Sequence, residues 1–154
     1  MRVFILIALL LTPALSKAEI APRPGWSVHI SQKDYDTLIG DLRAAVKTNK
    51  FGVVTQAGPT GAAKQRGITI PGNRVIGVFN NTYAVRILKL STPAMIEAPI
   101  RFYVTENPDG TATLSYKIPT AVFEPYVDEA GPDLSVAARE LDAAFAKIAQ
   151  DALR

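Results

Sequence analysis

The sequence predicts an α+β domain, with helices packed on a largely antiparallel sheet. Three observations carry that prediction. Segments of strand and helix periodicity succeed one another in the order β-α-β-(short α)-β-α-β-β-α. A Pro108-Asp109-Gly110 turn joins two β-rich runs, where Pro presets φ and Gly accepts φ > 0. The chain closes on a segment with apolar residues at helical spacing from Leu134 to Ala152.

Each element follows from its residues. Glu19 to Gly25 holds two prolines and a glycine and reads as an extended leader. Trp26, Val28 and Ile30 alternate with Ser27 and His29, so the first three are expected inward and His29 away from the core. Ser31 with Asp34 three residues later reads as a capping-box-like start. Tyr35, Leu38, Ile39, Leu42, Ala45 and Val46 then recur at helical spacing up to Asn49. Phe51 to Ala57 is a second strand, and Gly58-Pro59 opens a short helix that stops at Gly67. Val75, Ile76, Val78 and Phe79 form a nearly continuous apolar strand, which predicts coverage on both faces and a central position. Thr82 to Leu90 is helix-compatible. Arg101–Thr105 and Thr111–Lys117 flank the Pro-Asp-Gly turn, Pro119 to Tyr126 is irregular or a single turn, and Gly131-Pro132-Asp133 introduces the last helix with Asp133 as its expected cap.

The 154 residues suit one domain, and no repeat or linker divides them. Residues 1–18 read as a signal peptide: Met1-Arg2 is followed by an unbroken apolar run from Val3 to Leu11, and Ser16-Lys17-Ala18 places small residues where a signal peptidase reads them. Nine apolar residues span roughly 14 Å, short of the hydrocarbon core of about 30 Å, so the run is no membrane anchor. Cleavage is expected after Ala18, residues 19–25 form the leader, residues 26–154 the domain, and the location is periplasmic or secreted. No membrane span is expected to remain after cleavage. Removing Arg2 and Lys17 leaves 15 basic against 14 acidic side chains. A nearly neutral chain lacks the clustered positive charge that displaces counterions from phosphates, so no nucleic-acid partner is expected.

With no Cys and a single His, thiolate nucleophiles, cysteine metal sites and H-E-x-x-H zinc sites are excluded. The sequence holds no G-x-S-x-G elbow, no G-x-x-x-x-G-K-[ST] loop and no G-x-G-x-x-G fingerprint. No cofactor, no metal and no catalytic residue is therefore expected.

Four features carry a resemblance to the domain of unknown function 302 family. They are the helix Tyr35 to Val46 with the strand after it, the string Gly61-Ala62-Ala63-Lys64-Gln65-Arg66-Gly67, the apolar strand Val75 to Phe79 running into Asn81, and the hairpin Phe102 to Glu106 with Thr113 to Tyr116 followed by Pro119. Family members often show F-G-N-P-x-x-G-T after the central strand. This chain has Phe79-Asn80-Asn81-Thr82-Tyr83-Ala84-Val85-Arg86, which keeps the Phe and an Asn and loses the glycines, the proline and the threonine. The resemblance implies a β-α-β4-α-like fold akin to the TATA-binding-protein arrangement, often paired into homodimers. It implies no activity, and likeness to a DNA-binding fold is not likeness of function.

Candidate ligand-binding residues are Tyr83, Arg86, Tyr103, Tyr116 and His29. The tyrosines belong to an aromatic set, with Phe102, Phe123 and Tyr126, around the hairpin and the chain after it; they suit an apolar pocket between sheet and helices whose hydroxyls fix a ligand. Arg86 falls in the altered family segment and, with Lys64, Arg66, Arg74 and Arg101, suits an anion. His29 is the side chain whose reference pKa lies near neutrality and suits a pair with a carboxylate. The acids Glu124, Asp128, Glu129 and Asp133 lack the calcium-loop spacing. The leading reading is a non-enzymatic exported domain that binds a small, partly apolar molecule or an envelope protein. The alternatives are a homodimeric interaction module without a pocket and a hydrolase using Glu106, Glu124 or Asp128, whose two carboxyls must lie about 5–10 Å apart.

Overall fold

A computed structural model of the chain describes residues 20–154. The expected signal peptide lies outside these described residues. Five strands form one antiparallel sheet: β1 (Trp26–Ile30), β2 (Gly52–Ala57), β3 (Asn73–Phe79), β4 (Ile100–Glu106) and β5 (Ala112–Lys117), in the order β1-β5-β4-β3-β2. The helices are α1 (Tyr35–Thr48), α2 (Thr60–Gln65), α3 (Asn81–Leu90), α4 (Pro119–Phe123), α5 (Val127–Ala130) and α6 (Pro132–Leu153). The α+β class and the element order agree with the sequence. No described helix is long and apolar enough to cross a membrane.

The main helices share one face of the sheet. α1 buries Leu38, Ile39, Leu42, Ala45 and Val46, the stripe its spacing dictates. α6 answers with Leu134, Leu141, Phe145 and Ile148, separated by buried alanines 137, 138, 149 and 152. Alanine carries little bulk beyond its Cβ, so α1 and α6 can pack closely. Below them the sheet presents Ile76, Val78, Phe102, Val104, Leu114 and Tyr116, all buried. Phe102 stacks on Phe145 with ring centroids 4.8 Å apart, and Tyr116 lies 5.6 Å from the same ring. These rings fill the centre of the core.

Helix starts correct two local expectations. Asp34, not Ser31, caps α1: its carboxylate accepts from Thr37 N–H at 2.9 Å and from the Thr37 hydroxyl at 2.8 Å. These bonds hold the Asp34 carboxyl below the usual range. Ser31 follows directly on β1, donating its N–H to Ala112 O at 2.8 Å, and its Oγ accepts from Lys33 N–H. Asp133 lies in the first turn of α6 but does not cap it; the cap position is Gly131 at φ 76°, where no side chain contributes. At the altered family segment, Asn80 caps α3 by accepting from Thr82 N–H at 2.9 Å, and its amide donates to Lys50 O.

The hairpin matches its turn chemistry. Gly110 sits at φ 83°, and Asp109 Oδ1 accepts from the N–H and hydroxyl of Thr111 at 2.9 and 2.6 Å. Those bonds lower the Asp109 carboxyl below its ordinary range.

Strand β3 is interior, yet β4 is the central strand, and β3 is covered by helices on one side only. Ile76 and Val78 enter the core, whereas Val75 is half-buried on the opposite face.

Strand β1 is inverted relative to its alternation. Ser27 pairs with Tyr116 and His29 with Leu114, so Ser27 and His29 share the helix-facing side with two core residues. Trp26, Val28 and Ile30 stand on the other face, opposite Lys117, Ser115 and Thr113. Edge position explains the error: every residue of β1 is half-buried or exposed, so alternation shows two faces without showing which one meets the helices.

Candidate functional site on the open sheet face

Among the described residues, the centre of the space between sheet and helices holds no ligand-sized pocket. A cavity of about 30 Å³ lies there, lined by Phe51, Tyr83, Ile87 and Phe145 among others, a volume on the scale of one water. Aromatic side chains fill this central part of the space. An open depression of about 460 Å³ lies at the β1 edge of the same space, between Ser27, His29 and Tyr116 and the α6 residues Ala146 and Gln150.

The face away from the helices is different. Pleating sends Trp26 and Val28 of β1, Thr113, Ser115 and Lys117 of β5, Arg101, Tyr103 and Thr105 of β4, and Asn73, Val75 and Gly77 of β3 to this side. A groove of about 460 Å³ runs over it, lined by Trp26, Val75, Ile100, Tyr103, Tyr116 and Val122 with Asn73, Glu97, Arg101 and Lys117. Its rim comes from the 3-10 turn Pro93–Glu97 and from α4. Three other depressions of about 460–540 Å³ have comparable volumes, so volume alone does not select this one. Its lining does: aromatic and aliphatic walls with a few converging polar groups are how ligand sites are built. By contrast, the depression beside α1 and the end of α6 is walled by Lys33, Asp41, Lys147 and Asp151, which are already paired with one another.

Polar groups in the groove are fixed by neighbours. The Asn73 amide donates to the Tyr103 hydroxyl, which leaves the phenolic proton free to donate onward. Tyr126 donates to Glu97 Oε1 at 2.8 Å, and that carboxylate raises the Tyr126 hydroxyl above its usual range. Arg23 places its guanidinium 5.2 Å from the Trp26 ring centroid, a cation–π contact that steadies the indole. Arg101 and Lys117 are exposed and form no ion pair among the described residues.

The five candidate residues do not come together in one place. Tyr103 is in the groove. Tyr116 is buried, touches the groove's lining and also packs on His29 with ring centroids 6.3 Å apart. His29 faces α6, with Nε2 2.7 Å from Ser27 Oγ, and burial pushes its imidazole below the ordinary value. Its partner is a hydroxyl, not a carboxylate. Tyr83 stacks on Phe51 at 6.1 Å between centroids, beside the small cavity. Arg86 on α3 binds Glu140 Oε2 of α6 at 2.7 Å and serves helix docking. The groove residues that sequence reasoning missed are Trp26, Asn73, Glu97 and Lys117. Trp26 and Lys117 sit opposite each other in the β1–β5 register, a pairing that no single strand reveals.

The carboxylates proposed for hydrolysis do not assemble there. Glu106 accepts from Gly72 N–H at 2.6 Å at the end of β4, Glu124 and Asp128 are exposed, and Glu97 is the one carboxylate lining the groove. No group of acids and histidine suited to a metal ion occurs among the described residues.

An antiparallel five-stranded sheet with helices on one face and a lined groove on the other defines a class of α+β domain with an open sheet face. The family described as "Domain of unknown function DUF302" matches residues 26–152, and the chain belongs to it. Among solved structures, the chain is similar to an uncharacterized conserved DUF302 protein from Bacillus stearothermophilus. That similarity has a TM-score of 0.74 and 20% identity, and covers 86% of this chain and 100% of that one. At that identity the likeness is one of fold. No curated protein matches the chain.

Proposed function

We propose that this protein is an exported binding domain whose ligand, a small and partly apolar molecule, lies in the groove of the open sheet face. The observation that carries this reading is the groove itself, about 460 Å³ between Trp26, Tyr103, Val75 and Val122. That size is within the few-hundred-Å³ range of small-molecule sites. Export rests on the basic start, apolar run and small-residue cleavage pattern of residues 1–18.

The neutral fluorophore N-phenyl-1-naphthylamine tests the groove. It is expected to bind with one-to-one stoichiometry and to move the indole N–H resonance of Trp26, the chain's single tryptophan. Tyr103→Ala removes one aromatic wall and is expected to weaken the probe about five- to tenfold while leaving the fold intact, since roughly 1 kcal/mol of aromatic contact is lost. Unchanged affinity in that variant sinks the groove as the binding place. If two copies instead cover this face in a homodimer, probe binding falls as protein concentration rises and native mass spectrometry shows the dimer. For export, the intact mass of native protein is expected to correspond to a chain starting at Glu19. A chain that still begins at Met1 removes that part of the reading.

A further inference from the structure

Resting on the groove reading, we infer that the ligand is a planar molecule carrying one carboxylate, held by Arg101 and Lys117 at the groove's charged side. Charge and hydrogen-bond valence both lead there.

Within the lining, two cations stand against the single acid Glu97, an excess of one positive charge. Glu97 already accepts from Tyr126, whereas neither Arg101 nor Lys117 has an anionic partner among the described residues. One added carboxylate balances the site. The flat guanidinium fork of Arg101 matches a carboxylate's two oxygens, and Lys117 supplies a point charge beside it.

One groove hydroxyl points to the same ligand chemistry. The Tyr103 hydroxyl has its acceptor side occupied by Asn73 and keeps a proton to give. The Tyr103 proton, beside the cations Arg101 and Lys117, fits a ligand that carries hydrogen-bond acceptors. Trp26 and Tyr103 supply flat walls for its apolar body.

Three probes sharing one ring system separate charge from shape: 2-naphthoate, 2-naphthylmethanol and 2-naphthylmethylammonium, titrated calorimetrically with the Trp26 indole resonance as the position marker. Naphthoate is expected to bind about tenfold tighter than the alcohol at low salt, and the ammonium weakest, with the preference shrinking as salt screens the cations. Arg101→Gln and Lys117→Gln, both at exposed positions, are each expected to cut naphthoate affinity about fivefold and leave the alcohol unchanged. Equal affinity of naphthoate and alcohol, with the indole shifted by both, overturns the carboxylate inference and keeps the groove. An undiminished naphthoate preference in both variants also overturns it. If none of the three moves the indole, the groove reading fails and the inference falls with it.

Discussion

Phe145→Ala is expected to cost about 3–5 kcal/mol of folding stability and to lower the unfolding midpoint by more than about 10 °C. Phe145 is 1% exposed, stacks on Phe102 at 4.8 Å, meets Tyr116 at 5.6 Å and presents an edge to Phe51 at 6.2 Å. It is the ring through which α6 reaches the centre of the sheet, so truncation removes contacts to three aromatic residues at once. It also lines the cavity of about 30 Å³ already present beneath α3, and the space it vacates would open into that void. The new cavity would have apolar walls, which water does not stabilise. Neighbouring backbone on α6 and β4 cannot collapse into it without breaking ladder or helix hydrogen bonds. Phe145→Leu keeps most of the volume and is expected to cost less than half as much. Urea denaturation is the measurement: the midpoint should fall with the slope unchanged. A loss below about 1 kcal/mol for the alanine variant would contradict the packing described, because it is far under what a filled aromatic core position loses.

Much of this core was legible in the sequence because helical period is a strong signal. The stripe Leu38 to Val46 and the run Leu134 to Ala152 both mark buried faces, and both are buried. The hairpin was legible for another reason: Pro108, Asp109 and Gly110 each have a specific backbone role, and the structure uses Asp109 and Gly110 accordingly. Strand orientation was not legible. A period of two is the same whichever side faces in, and β1 lies at a sheet edge where apolar Ile30 is 63% exposed while Ser27 and His29 turn toward α6. That ambiguity hid the groove, because Trp26 was assigned to the core. Of the five residues named from the sequence, Tyr103 stands in the groove with its side chain on the open face and Tyr116 touches the groove from the helix-facing side; Tyr83, Arg86 and His29 stand elsewhere. Aromatic content gave their residue type but not their face, and faces follow from register between strands that are far apart in the chain.

Glycines pose the same problem in miniature, and two of them make opposite predictions. Gly58→Ala is expected to destabilise the protein by about 1–3 kcal/mol or more, as forced overpacking does. Gly61→Ala is expected to stabilise it by about 0.5–1 kcal/mol, because alanine in a helix loses less backbone freedom on folding. A Cβ on Gly58 would lie 2.1 Å from the carbonyl oxygen of Asn73 and 3.2 Å from its carbon, and that obstacle is backbone, not a side chain that can rotate away. A Cβ on Gly61, three residues on and within α2, meets nothing within 4 Å. The Gly58 clash can be relieved only by parting the ends of β2 and β3. Asn73 opens β3, pairs with Thr105 and holds the Tyr103 hydroxyl with its amide. Gly58→Ala should therefore also loosen the groove, weakening N-phenyl-1-naphthylamine at temperatures where the variant is still folded, while Gly61→Ala should bind it as the parent does. Urea midpoints that move in the same direction for both variants would show that the approach of Gly58 to Asn73 is not as close as described. A Gly58→Ala protein that loses stability yet binds the probe unchanged would uncouple the β2–β3 end from the groove.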